Sequence, residues 1–504
     1  MAKLAARPRR WSLAALCCFL LLYVVSLAKD AEVSLDQFLS IADDALAEGD
    51  AARASDVYRQ GILHWTNVVK NDKDHDYSLI TVLSLHTNAG TTFSSLEDSE
   101  TAIALYTQGL EVYRDAIDTI MDQSVLAETT AIAAQAAFFL GMVYQDAENK
   151  NREALASYDY AVELDPLHWA SLANAASVYH DRLRRYDEAL KFYNQAYALL
   201  TDTTTAPTDP PEEPRFILSQ LQYRMGLCIS SVGQAGPTSS GGDDTSTKKM
   251  CVVGTERQDC TALATHAFSL AIEYDPDNEA ARHMLASLTA DATMQRASNT
   301  YVTQLFDEYA SNFEHSLVNE LQYTGYERLR RGFDRSGAMQ KSNGALFDLV
   351  VDAGCGTGLV GEQFRNVSRV LIGVDLSAAI VAEAQQKRPG LYNETIVGDI
   401  IPVFRDRHPI GLIVAADSYI YFGDLDPLFA AMRDGLQDGG FAAFTLENAS
   451  DEAALDASKP DWKWQLTASG RFAHRKDYAV ETAKQHGMQL VHYEPLQGEC
   501  RTSA

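Results

Sequence analysis

The residues best suited to chemistry lie in one short run, Val350-Val351-Asp352-Ala353-Gly354-Cys355-Gly356-Thr357-Gly358. An apolar run ending in an acid and then in glycines is the pattern of a buried strand opening into a turn. With no Cβ in the way, a ligand can approach the backbone there, at the N-terminus of the next helix. Two cofactor classes use such a turn. Gly356, Gly358 and Gly361 also have the spacing of a dinucleotide fingerprint. That motif, however, expects its first glycine at the strand end, whereas Gly356 stands four residues beyond Asp352, which disfavours a nicotinamide dehydrogenase. Further acids close later apolar runs: Asp375 after Ile372-Gly373-Val374, Asp399 in Gly398-Asp399-Ile400, and Asp417 before Ser418. An acid at a strand end is commonly a helix cap, so their weight comes from occurring together with the glycine turn.

Read as Asp-x-Gly-x-Gly-x-Gly, residues 352–358 resemble the first motif of class I S-adenosylmethionine (SAM)-dependent methyltransferases. The resemblance implies SAM as cofactor. Gly354, Gly356 and Gly358 would line its methionine and ribose side with Asp352 beneath the loop, and Asp375 would accept hydrogen bonds from the ribose hydroxyls. Asp399 falls where that family holds the adenine amino group, and Asp417-Ser418 where a wall separates cofactor from acceptor. Cys355 is read as structural. Methyl transfer from a sulfonium needs alignment and a dry pocket more than a protein nucleophile. A base matters only for a protonated acceptor, and His474, Tyr421 and Asp417 are the candidates. The Asn-Pro-Pro-Tyr signature of amide methylation is absent, Asp417-Ser418-Tyr419-Ile420 standing in its place. Tyr419, Tyr421, Phe422, Trp462 and Trp464 are either an aromatic lid over a flat acceptor or ordinary core.

These residues need a scaffold of alternating strands and helices. The strands expected are Leu346 to Asp352, Val370 to Asp375, Glu394 to Val397, Gly411 to Ala416, Gly440 to Leu446 and Met488 to Tyr493, with helices such as Ser377 to Lys387 and Pro427 to Leu436 between them. Alternation of this kind predicts a mostly parallel, Rossmann-like sheet with flanking helices. The sequence given reaches Ala504 soon after the sixth of these strands, where the family fold expects a final antiparallel one.

Upstream the pattern is a repeat. Ala followed four residues on by Tyr or Phe, and three further by Ala or Gly, recurs as Ala54/Tyr58/Gly61, Ala102/Tyr106/Gly109, Ala154/Tyr158/Ala161, Ala189/Tyr193/Ala196 and Ala264/Phe268/Ala271. Those spacings put each trio on one helix face, where small and aromatic residues let a second helix interlock. With Leu140-Gly141 upstream and Pro166 downstream, the third unit resembles the tetratricopeptide repeat (TPR), which implies a solenoid of helix pairs whose concave groove receives a partner segment. Thr201 to Pro214 and Ser231 to Asp259 lack helical periodicity and read as exposed insertions. The stretch from Tyr301 to Ala310, with Phe313 and Leu321-Gln322-Tyr323, resembles the helical lead-in of predicted methyltransferases that carry such repeats, as does the tail Trp464 to His474.

The expected order is therefore a leader at 1–29, TPR-like repeats at 30–290 with insertions near 201–214 and 231–259, a helical lead-in at 291–345, and a methyltransferase domain at 346–504. In the leader, Lys3, Arg7, Arg9 and Arg10 precede an apolar run from Trp11 to Ala28, the form of a signal peptide or an uncleaved signal anchor. It sends the chain into the secretory pathway, lumenal, secreted or held by a single N-terminal membrane span. No later segment is expected to cross a membrane. Of seven cysteines, Cys251 and Cys260 either pair in an oxidising lumen or remain free thiols, and no spacing suggests a metal site. Asn366, Asn393 and Asn448 head glycosylation sequons. A net charge of −27 repels a phosphate backbone, so nucleic acid is not an expected partner. Two functions compete: a methyltransferase whose acceptor is a small molecule or a protein presented by the repeats, and a non-catalytic scaffold with a degenerate methyltransferase domain.

Overall fold

A computed structural model describes residues 34–67, 78–147, 149–202, 204, 210–235, 250–253, 256–289, 291, 293–310, 313–320, 322–341, 344–449 and 462–495. The expected leader lies outside them. The chain divides into two compact units, Met1–Pro214 and Arg215–Ala504.

The first unit is built of antiparallel helix pairs: α1 (Leu35–Ala47) with α2 (Ala51–Asn67), α3 (Leu79–Ser95) with α4 (Ser99–Ala116), α5 (Gln123–Asp146) with α6 (Asn151–Leu164), and α7 (Trp169–Ser177), continued by a π turn, with α8 (Tyr186–Thr201). Side-chain caps from Ser34, Ser78, Asp98 and Asp122 satisfy the free N–H groups where α1, α3, α4 and α5 begin. All twelve residues of the four repeat trios in this unit are buried. The reason for the pattern is visible at Gly141: a Cβ there would lie 2.6 Å from the Tyr158 ring, and Gly90 stands in the same relation to Tyr106. In the α3–α4 and α5–α6 pairs the aromatic ring of the second helix therefore fills the place left by a glycine on the first. One expectation is corrected. Helix α5, with 24 residues and a mean hydropathy of 1.4, is long and apolar enough to cross a membrane, but its Ala-rich face packs into the repeat core.

The fifth trio belongs to the second unit. Here α9 (Pro214–Ala235) and α10 (Cys260–Tyr274) repeat the interlock, Gly226 facing Phe268, and α11 (Glu279–Thr289) follows. The contact boundary thus falls three helices before residue 290. Residues expected as irregular insertion form a hairpin, β1 (Met250–Val253) with β2 (Glu256–Asp259), and Cys251 is disulfide-bonded to Cys260 at the start of α10. The lead-in is helical as expected: α12 (Asn299–Tyr309), a π turn at His315–Glu320, α13 (Gly325–Arg335) and α14 (Ala338–Lys341).

The sheet then runs through β3 (Phe347–Ala353), α15 (Leu359–Phe364), β4 (Ser368–Asp375), α16 (Ala378–Lys387), β5 (Glu394–Val397), α17 (Ile400–Asp406), β6 (Ile410–Ala415), α18 (Asp426–Gly435) and β7 (Leu436–Phe444). Its order is β5-β4-β3-β6-β7, and every pair is parallel. Strand β6 is buried at all six positions, as a strand covered on both faces must be. The order reverses at β3, which opens a crevice beyond the carboxyl ends of β3 and its neighbours. A separate three-stranded sheet, β8 (Glu447–Asn448), β10 (Phe472–His474) and β9 (Trp464–Leu466) in that order, precedes α19 (Lys476–Gln485). The strand expected at Met488 to Tyr493 does not form. Leu490, Val491 and Tyr493 are exposed, and no ladder pairs with them, so among the described residues β7 is an edge.

Candidate functional site

The turn after β3 is tied directly to the end of β4. The Gly354 and Cys355 amides both donate to the Val374 carbonyl, at 2.8 and 2.9 Å. Gly354 is required twice over: its φ is +77°, and a Cβ would stand 2.3 Å from that of Ser418, whose hydroxyl donates to the Ala353 carbonyl at 2.7 Å. Gly356, at φ +53°, donates its N–H to Asp375 at 2.9 Å, and the Ser377 N–H donates to the other carboxylate oxygen at 3.1 Å. Burial pushes the Asp375 carboxyl up, while these backbone donors pull it back toward the ionised form.

A cavity of about 390 Å³ occupies the crevice. Gly354, Gly356, Asp375 and Asp417 all line it, joined by Cys355, Leu376, Gly398, Ile400 and Ser418. A Cβ on Gly356 would meet nothing nearer than Phe313 at 3.7 Å, which is the open cradle a nucleoside cofactor needs. Each Asp375 oxygen keeps a lone pair beyond its backbone bond, so the carboxylate can still receive sugar hydroxyls.

Other candidate residues are placed elsewhere. Asp352 is fully buried and outside the cavity, under the turn, where the Tyr392 hydroxyl donates to it at 2.7 Å; burial raises its pKa to about 7. Gly358, at φ +99°, begins α15 facing Arg388 and Leu391 rather than the cavity. Asp399 caps α17, and its carboxylate is taken by Arg296 at 2.9 Å and the Asn299 amide at 3.3 Å, while its neighbours Gly398 and Ile400 reach the cavity. His474 does not line the cavity: it is buried, its Nε2 lies 3.1 Å from the Gly423 carbonyl, and burial lowers its pKa to about 4. Tyr421 does line the cavity, its phenol pushed up to about 12, chiefly by burial. Of the aromatic set, Tyr421 and Phe422 face the cavity, Tyr419 is core, and Trp464 packs on Tyr478. Cys355 is buried, and its thiol is pushed well up, so it stays protonated.

The rest of the wall was not assigned from sequence. Phe306, Phe313, Tyr323 and Tyr326 come from the lead-in, Arg296 and Asn299 from the chain just before and into α12, and Arg471 from the turn before β10. The segments holding Phe306, Phe313, Tyr323 and Arg471 carried a family resemblance, but nothing in their spacing marked them as wall residues.

A doubly wound parallel sheet with a glycine turn and a carboxylate meeting at its switch point defines the class of Rossmann-like nucleoside-binding domains. Within that class, residues 350–440 match the family model described as a methyltransferase domain. No curated protein matches the chain. Among solved structures, an S-adenosylmethionine-dependent methyltransferase from Clostridium acetobutylicum is similar at 18% identity, over 36% of this chain and 87% of that one, with a TM-score of 0.27. Magnesium protoporphyrin IX methyltransferase from Synechocystis is 14% identical over 38% and 85%, with a TM-score of 0.28. YrrB, a TPR protein with an unusual peptide-binding site, is 13% identical over 51% and 95%, with a TM-score of 0.32. Likenesses at these values carry no argument about activity.

Proposed function

We propose that this chain is a SAM-dependent methyltransferase that acts on a small-molecule or protein acceptor, with the helical repeats serving partner binding or oligomerisation. The carrying observation is the 2.9 Å bond from the Gly356 N–H to Asp375, which joins the glycine turn and the acid closing β4 in one cavity. In this reading Gly354 and Gly356 admit the methionine and ribose side, Asp375 holds the ribose hydroxyls, Gly398 and Ile400 flank the adenine, and Asp417-Ser418 faces the acceptor. The bound sulfonium nucleoside supplies the methyl group and the leaving group; the chain supplies alignment and exclusion of water. Calorimetric titration of the full chain with SAM tests this. Saturable heat with a matching thermal shift supports it, and neither signal on folded protein leaves the scaffold reading, which the β7 edge, unpaired among the described residues, favours.

We further infer that the chain enters the secretory pathway, by a cleaved signal or a single N-terminal anchor. Support comes from the basic and apolar leader and the Cys251–Cys260 disulfide. A reporter fused after residue 40 should resist protease in intact vesicles; digestion would refute the address.

A further inference from the structure

The inner wall of the cavity holds more polar machinery than a cofactor site requires. Asp417 takes a left-handed backbone, φ +53°, and so does Gln322, φ +50°, immediately before Tyr323; these are two of only five non-glycine residues with positive φ among those described. Strain of this kind persists where surrounding structure enforces it, and it concentrates at working sites. Thr445 enforces it at Asp417: its hydroxyl accepts the Asp417 N–H at 2.8 Å and donates to the carboxylate at 2.9 Å. Tyr323, held by its N–H on the Leu317 carbonyl at 3.0 Å, brings its phenol beside that carboxylate, and burial together with Asp417 pushes the phenol up so that it stays a donor. Arg471 enters the same cavity with the opposite charge, acting against Asp417 on both Tyr323 and Tyr421, and half-buried Glu447 feels both charges. Toward the opening the wall is aromatic: the Phe306 ring stands 5.7 Å from Phe313 and 5.9 Å from Tyr421, edge to face.

We propose that this wall selects a neutral hydroxyl carried on a flat, apolar acceptor, with Asp417 receiving its proton; the proposal rests on the methyltransferase reading above. A carboxylate there meets Asp417 and Glu447, and an ammonium group, although those acids attract it, has no lone pair with which to attack the methyl carbon. A hydroxyl keeps its lone pairs and is repelled by neither charge: it donates to Asp417 and accepts from Arg471. The aromatic rings accommodate a flat body by edge and face contact. In the transfer, the acceptor oxygen bonds to the methyl carbon of SAM and the carbon–sulfur bond breaks. Its electron pair stays on sulfur as a neutral thioether, and the hydroxyl proton passes to the Asp417 carboxylate.

The test gives the full chain methyl-labelled SAM with 2-naphthol, 2-naphthylmethylamine or 2-naphthoate, and measures both label transfer and binding of each probe without SAM. The expected result is that 2-naphthol binds and takes label at least about tenfold faster than either charged probe, since the carboxylate faces like charge and the ammonium offers no lone pair. Asp417→Asn should cut transfer by about 100-fold, the range of a lost general base, and affect SAM affinity far less. Equal or faster transfer to the amine or the carboxylate overturns the proposal. So does wild-type transfer by Asp417→Asn, or SAM binding with no binding of 2-naphthol. Absence of SAM binding to folded protein instead fails the methyltransferase reading, and this proposal with it.

Discussion

Asp375 accepts two backbone N–H bonds from the structures on either side of the site, Gly356 in the turn and Ser377 at the start of α16. In the proposed complex it also holds the sugar. Asp375→Ala should therefore weaken SAM binding by about 1.5–3 kcal/mol, the worth of hydrogen bonds to a charged group. Calorimetry on the variant checks this, with Asp375→Asn expected between the two; unchanged affinity would remove the residue from the site. Asp352 gives a different signature. Its folded pKa of about 7 lies above the ordinary aspartate value, so between about pH 4 and 7 the native state binds more protons than the unfolded chain. Its contribution is full below that window and is lost as pH rises through 7. At about 1.4 kcal/mol per pKa unit the effect is a few kcal/mol. Asp352→Asn should flatten the fall in denaturant midpoint from pH 4.5 to 7.5; an unaltered slope would show that the carboxyl is not held neutral. Sequence made the glycines and Asp375 legible because their chemistry depends on backbone and strand-end position. It did not reveal that Arg296 and Asn299 occupy the Asp399 carboxylate, or that His474 is sealed in the core, because both depend on contacts across 50 to 100 residues.

At the scale of elements, the five parallel strands and their helices were readable because apolar runs closed by turn residues are local signals. The sixth was misread: Met488 to Tyr493 has the composition of a strand but, among the described residues, no neighbour to pair with, and pairing is not a local property. The short β8–β10–β9 sheet was missed because two- and three-residue strands carry no periodicity. Where a close approach sets the element, substitution should be severe. Gly354→Ala places a methyl against Ser418 and forces an L side chain into φ +77°. The left-handed backbone alone costs about 1–2 kcal/mol, so the variant should melt earlier and lose SAM binding, and Ser418→Gly should restore only part of the loss. In the repeats, Tyr158→Ala should cost about 3–5 kcal/mol in urea unfolding, as for other buried aromatics, because the ring fills the space over Gly141. A cost below about 1 kcal/mol would deny that the glycine–aromatic interlock holds the helix pairs.

For the whole molecule, the array and the enzyme-like domain were separable on sequence by a change of period, yet the contact boundary came at residue 214 rather than 290. Repeat periodicity runs on through α9 and α10 and does not report which neighbours those helices choose. The central claim is that one crevice, at the carboxyl ends of β3 and β4, takes the cofactor. Hydrogen–deuterium exchange on the full chain, with and without saturating SAM, tests it most directly. The account predicts slowed exchange confined to peptides covering 353–361, 375–380 and 398–402, together with the lead-in around Phe306 and Phe313. Unchanged exchange in the glycine turn and at Asp375, or protection only among the repeat helices, would contradict it.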